Sequence, residues 1–404
     1  MTGHVVLWID VSRCAGAQRI FGLTTLERLR RSVVQHLPEA RVILSGAAGL
    51  PSAWPGAQLD GNGGHAGARL ARALQANGAL VVLDGSAVID PRLLRFLAQA
   101  TSNLVARREV AGDAVVALRL ASPEGMKIDE VASRLPDVAR ALEETGQASV
   151  VDEASFPAYI DKLRRVLPYW MYRVDEPAVR RDVERRLFLD NYKGSTDLLT
   201  AYVYPPLVWP AVRLCSVLRV HPNVVTVLSI LLAFIAVPLF ARGDWLAGFA
   251  CAYVMSVLDS VDGKVARLTF TDSSIGNVLD HGLDLVHPPF WYWAWGQGLI
   301  AGGASPWIAE AAVALNVVYV LDRIVLGVAR RRLGHALHSC RPLDEFVRSF
   351  IARRNITMTL MALAVAVGQG TAGLLLVTAW HVLTLAWHAW RTAWNGWLSP
   401  VRVA

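Results

Sequence analysis

The sequence predicts an α-helical integral membrane domain of six transmembrane helices, preceded by a soluble α/β domain. Two observations carry this prediction. Hydrophobic residues make up 54% of the 404 residues, and the long apolar runs lie after residue 204. Before residue 193, short runs rich in β-branched residues alternate with helical ones. We therefore divide the chain into a soluble domain at 1–190, a connector with an interfacial amphipathic helix at 191–222, and a membrane domain at 223–404.

The first domain has the alternation of strands and helices that is typical of a sheet covered by helices. Its β-rich runs are VVLWID, RVILS, ALVVLDG and VVALRL, and helical runs such as GLTTLERLRRSVVQHL lie between them. Thr24 or Thr25 can cap the first long helix. Residues 126–146 are predicted to form a helix, and 161–189 are Arg-rich with a helical period.

The connector contains an amphipathic stretch at 207–218, interrupted by Pro210. An amphipathic helix next to membrane spans suits the bilayer interface. The following HPNVVT places Pro222, Asn223 and Thr226 at the start of the first span, where the Asn and Thr side chains can cap the helix.

Six hydrophobic segments follow. A bilayer needs roughly 20 residues per helix, and most of the segments come near that length, although the fifth is short. The run FWYWAW at 290–295 fits an aromatic belt at the membrane interface. The segments are 224–240, 245–261, 275–295, 308–326, 356–367 and 371–390.

Basic residues give the expected orientation. Cytoplasmic connections are enriched in Lys and Arg, so both termini and the connection after the second segment should face the cytoplasm. The remaining connections carry only Arg242. The basic residues of the cytoplasmic connections are Lys264, Arg267, Arg330, Arg331, Arg332, Arg341, Arg348, Arg353 and Arg354.

The net charge of +7 is explained by this clustering beside hydrophobic segments, and no nucleic-acid partner is expected. The four cysteines are scattered singly, which favours buried thiols in a reducing compartment. The first apolar run, at 5–9, is too short for a signal peptide, so the soluble domain should stay in the cytoplasm. We expect a multi-pass protein of the inner (cytoplasmic) membrane.

The stretch DSVDGKVARLTFTDSSIGNVLDHGLD, at 259–284, combines carboxylates with small residues on two hydrophobic segments. In the first segment, spacings of three and four place one set of residues on one helix face: Asp259, Asp262, Gly263 and Ala266. In the second segment, a spacing of four does the same for Gly276, Asp280 and Asp284.

If these two faces pack together, four negative charges meet at the edge of a bilayer and must be neutralised. Two divalent ions would balance them. Carboxylate oxygens favour a hard ion, Mg²⁺ or Mn²⁺, over zinc. Such an ion pair can stabilise the attacking and leaving oxygens of a displacement at phosphorus. The small residues would leave room for a ligand against the helices.

The whole stretch fits the pattern D-x2-D-G-x2-A-R-x8-G-x3-D-x3-D without a gap, from Asp259 to Asp284. In this it resembles the CDP-alcohol phosphotransferases, membrane enzymes that move a phosphate-linked alcohol from a CDP donor to an acceptor hydroxyl and release CMP. The resemblance implies two Mg²⁺ or Mn²⁺ ions, a CDP-linked donor, an alcohol acceptor and the lipid bilayer as partners, and a homodimer.

The resemblance also implies residue roles. The metal pair would be held by Asp259, Asp262, Asp280 and Asp284, and Asp284 would also be the general base for the acceptor hydroxyl. Arg353 and Arg354 are candidates for binding a phosphate on the acceptor, although membrane orientation alone also explains them. The nucleotide would lie against Asp259, Asp262, Gly263, Ala266, Arg267 and Gly276.

The first domain resembles the nucleotidyltransferase-like domain that precedes the transferase in some members, which make CDP-inositol and then use it. In that comparison Gly16 and Arg19 are a shortened phosphate loop, and Asp84 stands for the acidic metal ligand with Ser86 nearby. The connector resembles the K-x-x-D entry of such fusions, with Lys193 and Thr196 before Asp197, although three residues separate this Lys and Asp. A degenerate domain is expected.

The predicted function is transfer of a phosphatidyl or phospho-alcohol group from CDP-diacylglycerol or a CDP-polyol to an alcohol such as glycerol phosphate or inositol phosphate. One alternative is a bifunctional enzyme whose first domain also makes the CDP-alcohol. A second is a cation-coupled transporter, because intramembrane aspartates often mark ion pathways. A third is a pseudo-enzyme scaffold.

Overall fold

The structure is a computed structural model. It describes residues 5–14, 18–46, 54–61, 63–110, 113–152, 154–160, 163–192, 194, 196–272 and 274–398, without the side chains of 110, 113, 274–281, 283, 284, 397 and 398. The described residues fall into an α/β unit within 1–160, 166–190 and 268–270, and a helical unit within 161–165, 191–267 and 271–404.

The α/β unit confirms the predicted alternation. Thr24 caps the first helix, since its side chain accepts a hydrogen bond from the Glu27 amide. The strands are β1 Val6–Asp10, β2 Arg41–Ser45, β3 Gln58–Asp60, β4 Leu80–Asp84, β5 Ala87–Ile89, β6 Leu104–Val110, β7 Asp113–Leu120, β8 Ser149–Val150, β9 Tyr159–Ile160, β10 Arg165–Val166 and β11 Met171–Arg173. The helices are α1 Thr25–His36, α2 Ala66–Asn77, α3 Pro91–Gln99, α4 Leu135–Glu144 and α5 Pro177–Asp190.

The main sheet has the strand order β3-β2-β1-β4-β7-β6-β8 among the described residues. Strands β1 to β4 are mutually parallel, and β7 is antiparallel to both of its neighbours. Alternate residues of β1 face opposite layers: Leu7 and Ile9 pack with α1 and α3, while Trp8 packs with α2 and α4. Helices therefore cover both faces of a mixed sheet, as predicted.

Two predicted helices are shorter than expected. The Arg-rich stretch at 161–189 is helical only in α5, since β10 and β11 precede it, and the helix expected at 126–146 is confined to α4. Pro136 lies in the first turn of α4, where a residue with no amide hydrogen bond to lose is tolerated.

The helical unit has a helix at each of the six predicted hydrophobic segments. The amphipathic stretch of the connector forms α6 Pro205–Val217, and its buried residues Val208, Val212 and Ser216 are four apart, as one helix face requires. The remaining helices are α7 Pro222–Ala241, α8 Trp245–Thr269, α9 Ser274–Ala301, α10 Ile308–Leu333, α11 Pro342–Arg348, α12 Arg354–Ala366 and α13 Gly370–Ala393.

Over the described residues, four of these helices are long and apolar enough to cross a membrane: α7, α8, α10 and α13 with its extension to Gly396. Helix α12 is apolar but has only 13 residues. The side chains of the first part of α9 are not described, so a count of six spans stays a prediction.

The prediction that residues 290–295 form an interfacial aromatic belt is wrong for three of these residues. Trp291, Tyr292 and Trp295 are at most 2% exposed and belong to the core of the helical unit. Trp291 and Trp295 pack edge-on against Phe240 of α7. The aromatic run therefore packs helices together, and only neighbours such as Trp293 remain exposed.

Helices α7 and α9 approach closely at Gly298. A Cβ atom on this glycine would lie 2.0 Å from the carbonyl oxygen of Phe240. Small residues at such crossings let membrane helices pack backbone to backbone.

We expect Gly298→Ala to destabilise the protein by about 1–3 kcal/mol, because the two helices must separate to admit the methyl group. Gly327→Ala is the matched control, since a Cβ at this helical glycine meets nothing within 4 Å. Thermal unfolding of both variants in detergent checks the expectation. Equal unfolding midpoints for the two variants would contradict the close crossing.

Candidate active site

Helix α8 carries the first half of the carboxylate pattern. Asp262 is only 3% exposed, and the Asp259 side chain is 20% exposed. The two carboxylates are three residues apart in a continuous helix, so they lie on the same side of it.

Asp262 is held by a threonine of α7. The Thr226 hydroxyl donates a hydrogen bond to Oδ2 of Asp262 at 2.6 Å, and both side chains are buried. Thr226 had been expected to cap α7, but the structure gives the cap to His221, whose side chain accepts a hydrogen bond from the Asn223 amide. Thr226 therefore orients a residue of the candidate site and does not cap the start of α7.

Asp259 pairs with an arginine from the start of α12. Nη2 of Arg354 lies 2.7 Å from Oδ2 of Asp259, and the two side chains are 16% and 20% exposed. The structure thus joins a predicted metal ligand to a predicted acceptor-binding residue, although 95 positions separate them in the chain.

The other half of the pattern lies on α9. The backbone of this helix is continuous through positions 276, 280 and 284, so Gly276, Asp280 and Asp284 share one helix face. Their side chains lie outside the described residues. The convergence of four carboxylates therefore stays a prediction.

The donor chemistry of α8 fits the predicted ions. Asp259 and Asp262 offer carboxylate oxygens one turn apart, which are the ligands that Mg²⁺ and Mn²⁺ prefer. Among the side chains that the structure describes, no group of three or more His, Cys, Asp or Glu is arranged to hold a metal. Asp280 and Asp284 are not among those side chains, so the complete ligand set is not tested.

Gly263 and Arg267 also lie on α8, and the arginine folds back over the glycine. A Cβ on Gly263 would come within 3.3 Å of the Arg267 guanidinium, whose Nε donates to Oδ1 of Asn191. The space expected at Gly263 thus borders a cation that can bind phosphate. Ala266 lies on the same helix, next to Arg267.

Lys264 had been expected as a basic residue of the cytoplasmic connection after the second span. It is 5% exposed, and its ammonium group lies 3.8 Å from the centre of the Tyr192 ring. A buried ammonium over an aromatic face is stabilised by the quadrupole of the ring. This lysine therefore has a packing partner besides any effect on membrane orientation.

A cavity of about 120 Å³ lies at the start of α12, and we call it the arginine cavity. Arg353 and Arg354 line it, and so does Arg323 of α10. Among the described residues, the other lining residues are Asp197, Pro288, Tyr319, Ala352 and Asn355. The cationic groups outnumber the single carboxylate, which suits an anionic ligand.

Asp197, the carboxylate of this cavity, is hydrogen-bonded to neighbouring residues. It accepts hydrogen bonds from the Thr200 amide at 3.0 Å and the Thr200 hydroxyl at 2.9 Å, and Asn355 approaches it at 3.3 Å. The Asp of the predicted K-x-x-D entry therefore fixes the connector to the start of α12. Lys193 of the same entry lies outside the described residues.

Arg323 was missed from the sequence. It lies within the fourth hydrophobic segment, where charged side chains are costly and commonly mark function, and that was the available signal. Its neighbour Asp322 is 3% exposed.

The candidate acid of the α/β unit is already neutralised inside that unit. Asp84 pairs with the buried Arg173 through Oδ2 and accepts hydrogen bonds from the Ser86 amide and hydroxyl through Oδ1. Asp10, aligned with Asp84 on the neighbouring strand, pairs with Arg69 at 2.8 Å. These carboxylates are structural ion pairs. Gly16 lies outside the described residues, and the exposed Arg19 makes a long contact with the Gly22 carbonyl.

Three comparisons with known proteins give matches to this chain. Residues 219–397 match the family model of the CDP-alcohol phosphatidyltransferases. An uncharacterised class-I member of that family from Schizosaccharomyces pombe is 28% identical over 120 residues, and the match spans 25% of this chain and 30% of that protein. The solved structure of Mycobacterium tuberculosis phosphatidylinositol phosphate synthase with CDP-DAG bound is 18% identical, covers 48% of this chain and 97% of its own, and superposes with a TM-score of 0.39.

The family match begins at residue 219, so it contains α7 to α13 and the whole carboxylate pattern, while strands β1 to β11 and helices α1 to α5 lie outside it. Over residues 219–397, the chain is similar to the CDP-alcohol phosphatidyltransferases.

Proposed function

We propose that this chain is a membrane-embedded phosphotransferase that moves a phosphatidyl or phospho-alcohol group from a CDP-linked donor to an alcohol. The observation that carries the proposal is the buried, threonine-held Asp262 beside Asp259, which in turn contacts the arginine cavity through Arg354. This arrangement supports the proposal that a carboxylate face, which would bind metal ions, lies next to a cationic cavity. The two parts correspond to the two substrates of such a transfer.

In the proposed reaction the acceptor hydroxyl attacks the phosphorus that joins the donor alcohol to CMP. A new P–O bond forms, the P–O bond to CMP breaks, and the hydroxyl proton passes to Asp284. Bound divalent ions would neutralise the phosphate charge. Asp259, Asp262, Asp280 and Asp284 would hold them, and Thr226 keeps Asp262 oriented.

Donor binding would use the small-residue side of α8 and the start of α9. Gly263, Ala266 and Gly276 would leave space for the cytidine, and Arg267 would donate hydrogen bonds to the donor phosphates. The acceptor would bind in the arginine cavity. Arg353 and Arg354 would pair with its phosphate if it is an alcohol such as glycerol phosphate or inositol phosphate.

The experiment that tests this function is CMP release by the purified full chain. CDP-diacylglycerol and soluble CDP-polyols serve as donors, and glycerol phosphate and inositol phosphate as acceptors, each with and without Mg²⁺. Acceptor-dependent and Mg²⁺-dependent CMP release is expected for one pair. Absence of CMP with every pair, together with cation flux in liposomes, would favour the transporter alternative.

We further propose that the α/β unit has no nucleotidyl transfer activity, because Asp84 is neutralised by Arg173. Incubation of the full chain with CTP and inositol phosphate should release no pyrophosphate. Asp84→Asn should leave CMP release from the supplied donor unchanged in the protein that remains folded. Pyrophosphate release that Asp84→Asn abolishes would instead establish the bifunctional alternative.

The proposed location is the inner membrane, with both termini and the site on the cytoplasmic side, where nucleotide substrates are present. A homodimer is proposed from the family resemblance. Cysteine labelling from each side of inverted vesicles and mass photometry in nanodiscs test these two points.

A further inference from the structure

A buried aspartate on α10 contacts two partners at once. Oδ1 of Asp322 lies 2.5 Å from Nδ1 of His388 on α13, and Oδ2 lies 2.5 Å from Nη2 of Arg323. The aspartate and histidine side chains are 4% and 0% exposed. The carboxylate therefore links α10, α13 and the guanidinium of Arg323.

The His388 side chain is positioned to fix the Asp322 carboxylate. Its Nδ1 donates to Asp322, while its Nε2 is buried and makes no hydrogen bond among the described residues. Its ring packs edge-on against His338, with 5.0 Å between ring centres.

Of the three side chains in this network, Arg323 is the one that reaches the arginine cavity. Its side chain is 35% exposed, lines the arginine cavity, and lies over the Tyr319 ring at 5.1 Å. The Tyr319 hydroxyl in turn donates to the Leu285 carbonyl of α9 at 3.1 Å. One guanidinium nitrogen is thus held by Asp322, and the planar group has further donors for a ligand.

We propose that Asp322 and His388 are positioning residues: they hold the Arg323 guanidinium at the wall of the arginine cavity, where it binds the acceptor phosphate together with Arg353 and Arg354. The inference rests on the proposed function, which gives the cavity its phosphate ligand. An arginine side chain has several rotatable bonds, and fixing it before the ligand arrives lowers the entropy lost on binding. A buried carboxylate supported by a histidine provides that fixation.

Inorganic phosphate is the probe, and its affinity for the purified full chain is measured by calorimetry without divalent ions. His388→Leu removes the donor to Asp322 and should weaken phosphate binding about tenfold, the loss expected for one charge-assisted hydrogen bond. His388→Asn keeps an amide donor near the position of Nδ1 and should recover most of the affinity. Asp322→Asn should weaken binding at least as much as His388→Leu.

His381→Leu is the matched control. This histidine is also buried on α13, but it contacts the Val377 carbonyl and the Tyr292 hydroxyl and does not line the cavity. The control should keep the phosphate affinity of the wild type. Thermal unfolding in detergent confirms that each variant is folded before it is compared.

Enzyme kinetics separate this inference from the proposed function. With a working donor and acceptor, His388→Leu should raise the acceptor KM about tenfold and leave the donor KM unchanged. If phosphate binding responds as expected but no substrate pair yields CMP, the proposed function fails and the positioning role stands. If His388→Leu keeps wild-type phosphate affinity and acceptor KM, if His388→Asn is as impaired as His388→Leu, or if the wild type binds no phosphate, the positioning role is overturned.

Discussion

Replacing Asp284 with asparagine is expected to lower CMP release about a thousandfold while donor binding changes little. Asparagine has nearly the same shape but cannot accept the proton of the acceptor hydroxyl, and a positioned general base contributes roughly 10²–10⁴ to a rate. The affinity for CDP-diacylglycerol, measured by calorimetry in nanodiscs, reports donor binding separately from turnover.

The control for this variant is Asp244→Asn. Asp244 lies between α7 and α8, pairs with Arg242, and has a 56% exposed side chain, so its loss should not affect the reaction. Wild-type turnover by Asp284→Asn would show that another group takes the proton.

Asp262→Asn is expected to lower CMP release at least about a hundredfold and to raise the Mg²⁺ concentration needed for half-maximal rate, because metal-assisted charge stabilisation contributes several kcal/mol. The asparagine oxygen can still accept the hydrogen bond from Thr226, so the contact between α7 and α8 is kept. The substitution therefore removes the negative charge at position 262 and preserves the contact between α7 and α8.

Thr226→Val is a milder variant to compare with Asp262→Asn. Valine has the shape of threonine but no hydroxyl, so Asp262 keeps its charge and loses its orientation. CMP release should fall about 10–100-fold, less than in Asp262→Asn, as expected for a group that supports a metal ligand. An unchanged Mg²⁺ requirement in Asp262→Asn would exclude this carboxylate as a ligand.

The parts of the candidate site that a sequence can predict are those set by local periodicity. Asp259 and Asp262 lie three residues apart, and the helical repeat alone places them on one side of α8. The same reasoning predicted the amphipathic face of α6 and the alternation of strands and helices around the sheet. Both patterns depend on residues that are close in the chain.

The contacts that complete the site join distant residues, and no local pattern predicts them. Thr226 reaches Asp262 across 36 positions, and Arg354 reaches Asp259 across 95. They depend on how α7, α8 and α12 pack, and helix packing is set by the shapes of whole faces. Arg323 could have been found, because a charged residue inside an apolar segment is itself a signal.

The wrong predictions have physical reasons as well. Trp291 and Trp295 were assigned to the membrane interface from composition, but large aromatic rings also fill gaps between helices, and the structure buries both against Phe240. Asp84 is a different case, since the resemblance placed it at the acidic metal-ligand position of a domain that was expected to be degenerate. Its partner Arg173 lies 89 positions away, so no local pattern predicts this ion pair.

The central claim is that carboxylates from α8 and α9 together bind two divalent ions, and Mn²⁺ binding to the purified chain tests it most directly. Electron paramagnetic resonance with CDP-diacylglycerol present should give two bound Mn²⁺ per chain, spin-coupled to each other, and Asp259→Ala and Asp280→Ala should each abolish the coupled signal. One uncoupled ion, or a coupled signal that survives either substitution, would contradict the account.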